Sequence, residues 1–342
     1  MRSAFTALFI LFVSQTTIAQ KDSVRKYLDG ELRFTSRKEA VYGALAVKQG
    51  DHWMLYAAYP DTNLLLKIFF KDPDLNIKEG PFNLFHPKGI IAQSGYFLNN
   101  IPNGFWQSWY SNRQLKDSGQ IINNQLTGIW KHWYENGNLK NKESYKDADK
   151  TIIPVAHDNS NLFKYNRGVL YGEQPKGVLE GMSLFCYENG NKESIVNYHN
   201  DSLVGICTFF REDGSLSSKE TYNHGKVVAL ECYDEQGEYS GATCSVLKLP
   251  VLIHAFFNAQ EYIVDQLHRN KNNDIREEGD AQINFTVTKT GKVTNLVIKS
   301  SPDAALSNHI TKIFGSMPAW SPAITHNRPV DFAMHLVIPF YR

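Results

Sequence analysis

Two stretches that begin 24 positions apart decide the fold: Gly104–Lys116 reads GFWQSWYSNRQLK, and Gly128–Lys140 reads GIWKHWYENGNLK. Related copies open at Gly80, Gly181 and Gly205, and the steps from 80 to 104 and from 181 to 205 are also 24 positions. Five positions after the opening glycine, each copy has an aromatic residue or a cysteine: Phe85, Trp109, Trp133, Cys186 and Phe210. A register kept over five copies indicates an internal repeat.

Each copy has the composition of a β-hairpin. Asn136-Gly137, Asn189-Gly190 and Asp213-Gly214 are dipeptides that accept positive φ in two-residue hairpin turns, and aromatic-rich runs flank them. A lone hairpin is only marginally stable in water, so we expect neighbouring copies to continue one antiparallel sheet. The longer interval from 128 to 181 predicts a degenerate copy with an insertion, and we expect residues 20–78 to begin the same sheet.

Over residues 79–240 these units resemble MORN-type repeats, in the variety found in YwqK-family antitoxins. The core pattern G-x-W-x-x-W-Y-x-N-G is complete in Gly128–Gly137. The resemblance implies a repeated sheet that acts as an interaction or membrane-associated scaffold.

The pattern changes after residue 249 to that of a small α+β domain. Apolar residues at helical spacing predict a helix over residues 252–268, and alternation predicts strands from 283 to 287 and from 292 to 299. Ser301-Pro302 has the composition of a helix start, and residues 331–339 alternate as a last strand. The fold class is therefore mainly β, with a C-terminal α-β-β-α-β domain over residues 250–342.

The same region resembles the TonB C-terminal domain. The resemblance is carried by Met317–Ile324 (MPAWSPAI), Asn327–Val330 (NRPV) and Ile338–Phe340 (IPF). The family lies in the periplasm and binds a segment of outer-membrane transporters by adding it as a strand to a sheet edge. The resemblance therefore implies a partner-binding edge in the last strand, at Asp331, Phe332, Ala333, Met334, His335 and Leu336. Asn327-Arg328 stands where the family often has glycine, a departure that we expect to affect a loop and not the core.

The first residues have the pattern of a secretory signal. Arg2 precedes the apolar run Ala4–Val13, and Thr17-x-Ala19 supplies small residues, so we expect cleavage between Ala19 and Gln20 (signal peptide, residues 1–19). The alternative is a retained membrane anchor, although the polar run 14–17 leaves it shorter than the ~20 apolar residues of a spanning helix. The expected location is the periplasm or cell envelope.

The four cysteines are Cys186, Cys207, Cys232 and Cys244. An exported chain meets an oxidising compartment in which disulfides persist, and four cysteines allow three complete pairings among which the sequence does not choose. Buried small hydrophobic residues are the alternative interpretation of all four.

The sequence gives no sign of catalysis. It lacks the G-x-S-x-G, H-E-x-x-H and G-x-x-x-x-G-K-[ST] motifs, and Asp72–Asn76 starts like a calcium loop but continues with Ile77 in place of the required glycine. We therefore expect no enzyme, metal or cofactor. A hydrolase or glycan-binding enzyme in the insertion 147–180, with Asp158 or Glu173, is the less favoured alternative. The Trp and Tyr residues are expected to pack in the sheet rather than to stack on carbohydrate.

The expected function follows from the two resemblances. A net charge of +1 argues against a nucleic-acid partner, which usually requires a basic face. We expect a periplasmic protein-binding adaptor whose partner is a TonB-dependent outer-membrane receptor or another envelope protein, with membrane association only through partners. The alternative is a TonB-type energy transducer with an uncleaved anchor, but the 13 prolines are scattered and form no extended spacer before residue 250.

Overall fold

The computed structural model describes residues 22–148, 164–166, 169–171, 175–242, 244–253, 258–269 and 274–341. Contacts divide the chain into two compact units, the first formed by Met1–Cys207 with Tyr222–Lys226 and the second by Thr208–Thr221 with Val227–Arg342. The predicted cleavage residues Ala19 and Gln20 lie outside the described residues, as do Asp158 and Glu173 of the insertion.

The first unit is an array of antiparallel strands. From β1 to β10 each strand pairs with the next one along the chain, and β10 then pairs with β13. β11 and β12 form a small hairpin of their own, and a short 3-10 helix spans Pro87–Gly89. The strands are β1 (Ser23–Leu28), β2 (Tyr42–Gln49), β3 (His52–Ala58), β4 (Leu64–Phe70), β5 (Lys78–Phe85), β6 (Ile91–Leu98), β7 (Ile101–Trp109), β8 (Leu115–Ile122), β9 (Gln125–Trp133), β10 (Leu139–Tyr145), β11 (Lys164–Asn166), β12 (Val169–Tyr171), β13 (Gly181–Cys186), β14 (Lys192–His199), β15 (Ser202–Leu203) and β16 (Gly205–Phe210).

The array confirms the predicted fold class of repeated antiparallel hairpins. Strands β1–β4 belong to the same sheet, so the expectation that the residues before residue 79 begin it is also confirmed. One face carries a continuous apolar core that runs from Leu28 to Trp130. Phe82, Phe97 and Trp106 form its aromatic centre, with ring centroids 5.4–5.7 Å apart.

The hairpin turns differ from the prediction. Asn136-Gly137 does not form a two-residue turn: Gly137 N donates to Tyr134 O, and Gly137 alone has positive φ, at 90°. This is a longer loop in which the glycine follows a β-turn. The two-residue turns lie at the opposite strand ends, where both central residues have positive φ: Asn99-Asn100, Asn123-Asn124, Asn200-Asp201 and His224-Gly225. Asn and Asp tolerate this conformation better than other non-glycine residues do.

The second unit contains both helices. Its three-stranded sheet has the order β23-β22-β27, and its apolar core joins both helices to that sheet. The remaining elements, in chain order, are β17 (Leu216–Asn223), β18 (Lys226–Tyr233), β19 (Tyr239–Gly241), β20 (Leu247–Lys248), β21 (Val251–Leu252), α1 (Ala259–Arg269), β22 (Gly279–Val287), β23 (Val293–Ser300), α2 (Ala304–Ser316), β24 (Trp320–Ser321), β25 (Ala323–Thr325), β26 (Arg328–Val330) and β27 (Phe332–Phe340).

Two predicted helix starts were wrong. The first helix begins at Ala259 and not at residue 252, because Val251 and Leu252 pair with Ser321 and Trp320 as β21 and β24. The second is capped by Asp303 and not by Ser301, since the Asp303 carboxylate accepts a hydrogen bond from Ala305 N at 2.6 Å. An aspartate at this position satisfies a backbone donor of the first turn. In the described ranges, neither helix is both long and apolar enough to cross a bilayer.

Candidate functional site

The predicted binding strand lies at one border of the three-stranded sheet. Phe332, Ala333, Met334, His335 and Leu336 open β27, which pairs with β22 and, in the described part of the chain, with no other strand. Asp331 lies just before the strand, where its carboxylate accepts a hydrogen bond from Lys289 N at 2.6 Å. The structure therefore brings all six predicted residues together along one border.

The two borders of this sheet are unequal. β27 keeps continuous register with β22 over nine residue pairs, from Phe332↔Val287 to Phe340↔Gly279. β23, at the other border, has two register shifts against β22 and a residue with positive φ, Asn295, at 54°. Bulges and local twist are the devices that blunt a sheet edge against further pairing. Only the β27 border is regular over its length.

The side chains of β27 alternate between the core and solvent. Met334 and Leu336 pack against the apolar core, whereas Ala333, His335 and Val337 are exposed. Helix α1 packs beside the strand through its buried residues Ile263 and Leu267. A partner strand paired with β27 would therefore have one face beside a hydrophobic core and the other toward water.

A second cluster holds the β25–β26 turn against the hairpin strand β17, within the second unit. The His326 ring stacks on Phe209 with centroids 3.6 Å apart and planes 3° apart, and His326 Nδ1 lies 2.9 Å from Glu220 Oε1. Glu220 is fully buried, and Ser218 Oγ also donates to its carboxylate at 2.9 Å. Burying a carboxylate without partners costs free energy, so the Glu220 carboxylate depends on its contacts with Ser218 and His326. The contact with His326 therefore favours this one position of the turn.

Asn327 and Arg328, which depart from the TonB pattern, belong to this cluster. Asn327 Nδ2 donates to Ser217 O and Tyr233 O, at 3.1 and 2.9 Å, and the Arg328 guanidinium donates to Phe210 O. Arg328 is 7% exposed. Arg328 is thus buried and Asn327 half-buried, and through hydrogen bonds to the hairpin backbone the departure reaches beyond its own loop.

A disulfide joins Cys232 to Cys244, with Cα atoms 5.8 Å apart, while Cys186 and Cys207 are buried thiols outside any disulfide. The chain just after Cys244 accepts hydrogen bonds from the β25–β26 turn, at Ser245 O and Val246 O. One pair of cysteines thus forms a disulfide, and the other pair consists of buried small residues, so each of the two interpretations applies to one pair. The disulfide fixes the segment against which the turn packs.

Sequence reasoning missed the Glu220–His326 pair, although the repeat contains a signal for it. Gly95 and Gly119 occupy the fifteenth position after the opening glycine of their copies, and Glu143 and Glu220 occupy the same position in later copies. Each of these glutamates lies near a histidine, since His132 Nε2 is 3.5 Å from Glu143 Oε2. A glutamate in a glycine position of a repeat therefore marks a polar contact.

The described residues include no group of three or more His, Cys, Asp or Glu side chains that could hold a metal ion. The comparisons with known proteins support the repeat part of the chain. Residues 126–147 and 203–224 match the family described as MORN repeat variant. No TonB C-terminal family matches, and no curated protein matches the chain.

Proposed function

We propose that the chain is a non-enzymatic adaptor of the cell envelope, whose TonB-like C-terminal domain binds an extended segment of a partner protein along β27. The observation that carries the proposal is the regular border of β27, which among the described residues faces no further strand. Backbone N–H and C=O groups on such a border are a template for pairing with another chain.

Two further features support this proposal. The Cys232–Cys244 disulfide suits an oxidising compartment, as does the signal-like start of the sequence. The alternating core-facing and exposed side chains of β27 provide an apolar and a polar side for the added strand. An outer-membrane receptor with an extended periplasmic segment is the partner that the TonB resemblance implies.

The test uses the full chain with a photo-crosslinking amino acid at one position, expressed in cells and recovered from their envelope fraction. Positions 333 and 335 lie on β27 and are exposed. Position 299 is the matched control, because Lys299 is also exposed but lies on β23, at the opposite border. We expect partner adducts from positions 333 and 335 and at least about tenfold less from 299.

Crosslinks that form from position 299 but not from 333 or 335 would place binding at the other border and reject the proposal. Absence of the protein from the envelope fraction would reject the proposed location. If mass spectrometry of the exported chain finds Gln20 as the first residue, the transducer alternative is removed.

A further inference from the structure

The apolar face of the first unit becomes polar beyond Trp130, the last tryptophan of the series that includes Trp106. Trp106 lies on Gly95 and Trp130 on Gly119, so closely that a Cβ built on either glycine would be 2.3 or 2.1 Å from the indole. In the next copy the tryptophan position holds Ser183. The indole that would cover β10 is therefore missing, and the face continues with polar groups.

Polar side chains on β7–β10 form a continuous chain at this place. Ser108 Oγ donates to Asp117 Oδ2, and His132 Nδ1 contacts Asp117 Oδ1, each at 2.5 Å. Tyr145 OH donates to Glu143 Oε2 at 3.0 Å, which also lies 3.5 Å from His132 Nε2. Trp130 stacks on the His132 ring with centroids 6.2 Å apart. These hydrogen bonds hold the carboxylates of Asp117 and Glu143 in fixed orientations.

An open cleft of about 330 Å³ lies over these groups, near the lower end of the size range for small-ligand sites. Its wall has aromatic rings whose orientation is set by their neighbours: Tyr110 OH donates to Trp133 O, and Tyr134 OH donates to Cys186 O, at 2.8 and 2.9 Å. Asp117, His132 and Glu143 line the cleft together with Tyr110, Lys116, Trp133, Tyr134, Lys140, Asn141, Phe185, Cys186 and Glu193.

The charges of the cleft are balanced. Three lining carboxylates, on Asp117, Glu143 and Glu193, stand against two lysines and His132. Burial lowers the pKa of His132, but the hydrogen bonds that its ring donates to the Asp117 and Glu143 carboxylates outweigh this effect and raise the pKa to about 9, so the ring is cationic at neutral pH. A balanced set of donors and acceptors does not select a ligand for its net charge.

The arrangement does not suit hydrolysis. The hydroxyl of Ser108 is bonded to Asp117 and not to His132, so the histidine is not placed to activate it as a nucleophile. Burial raises the pKa of Asp117, but hydrogen bonds from His132 and Ser108 leave it below the ordinary value; the pKa of Glu143 is lowered by His132. A glycosidase needs one carboxyl group with a raised pKa as its acid.

We propose that this cleft is a binding site for a neutral, polyhydroxylated ligand, a short segment of glycan. Sugar hydroxyls both donate and accept hydrogen bonds, which matches a wall that offers carboxylates, an amide and ammonium groups. The apolar C–H face of a sugar ring matches the exposed parts of Trp133, Tyr134 and Phe185. The ligand is bound and not cleaved.

The test is titration calorimetry of the full chain with linear hexasaccharides of N-acetylglucosamine, glucose and mannose, and with a uronic-acid oligomer as the charged counterpart. We expect at least one neutral probe to bind with a Kd between micromolar and millimolar. Lys140→Ala is expected to weaken that binding about tenfold by removing a charge-assisted hydrogen bond. Lys140 is exposed at the cleft, so the variant is expected to fold.

Lys67→Ala is the matched control. Lys67 Nζ lies 5.8 Å from the Tyr56 ring centroid, the same separation as between Lys140 Nζ and the Tyr134 ring, but Lys67 does not line the cleft. Its binding should equal that of the unchanged chain. Equal loss in both variants, binding of the uronic-acid oligomer alone, or no binding by any probe at millimolar concentration overturns the proposal.

Discussion

At the scale of single residues, the repeat depends on glycines that leave room for a tryptophan. Gly119 is such a position, since any side chain there would meet Trp130. We expect Gly119→Ala to lower the free energy of unfolding by about 1–3 kcal/mol, the range for overpacking a filled core. Urea unfolding followed by tryptophan fluorescence measures this change.

Gly315→Ala is the control for that substitution. It lies in α2, and a Cβ built there meets no atom within 4 Å. In a helix, alanine is favoured over glycine by roughly 1 kcal/mol, so this variant should be slightly more stable. Equal effects of the two substitutions would contradict the packing explanation for Gly119.

His132 gives the first unit a pH dependence with a definite sign. Burial lowers its pKa, but hydrogen bonds to Asp117 and Glu143 outweigh burial and raise the pKa from 6.5 to about 9 in the folded chain. A raised folded-state pKa contributes stability that is complete below pH 6.5 and is lost as the pH rises through about 9. We expect the urea midpoint to fall over this range, by an amount equivalent to roughly 3 kcal/mol, the value of a pKa rise from 6.5 to about 9.

The variant His132→Gln removes the titrating group but keeps a side chain that forms hydrogen bonds. Its urea midpoint should be lower than that of the unchanged chain at pH 6.5 and nearly independent of pH up to 9. An unchanged slope with pH in this variant would assign the effect to another group.

At the scale of elements, the disulfide ties the segment that precedes β20 to β18, and the β25–β26 turn donates hydrogen bonds to this segment. Cys232 and Cys244 are 12 positions apart, and closing a loop of about that size stabilises the folded state by roughly 3 kcal/mol. We expect reduction to lower the urea midpoint of the second unit and to speed amide hydrogen exchange at His326 and Asn327, whose N–H groups bond to this segment.

The double variant Cys232→Ser, Cys244→Ser separates this effect from reduction in general. It should unfold at the lower midpoint with or without reductant, because Cys186 and Cys207 form no disulfide that could be reduced. A further fall of its midpoint in reductant would show that other thiol chemistry contributes.

For the molecule as a whole, the two proposed recognition surfaces lie on different parts of one chain. The first unit presents a polar cleft where its tryptophan series ends, and the second presents the regular border of β27. The proposed glycan site and the proposed strand addition use different residues and can be disabled separately. Lys140→Ala should therefore leave crosslinking from positions 333 and 335 unchanged.

Most of the local structure of this protein follows from its sequence alone. Period, aromatic positions and turn residues recur within about two dozen residues, so alternation and backbone preference predict the hairpin array. Alternation also predicted the three strands β22, β23 and β27 of the C-terminal region, but not the short strands β20, β21, β24, β25 and β26. The loop type at Asn136-Gly137 was not predictable, because the same dipeptide fits more than one turn geometry.

Which distant residues meet becomes apparent only in the folded chain. Glu220 and His326 are 106 positions apart, and the pairing of Cys232 with Cys244 was one of several that the sequence allowed. Such contacts depend on how the elements pack after they form. The local spacing of residue types does not indicate which distant residues will meet. The cleft over Asp117 and His132 likewise exists only because five strands, β8, β9, β10, β13 and β14, contribute side chains to it.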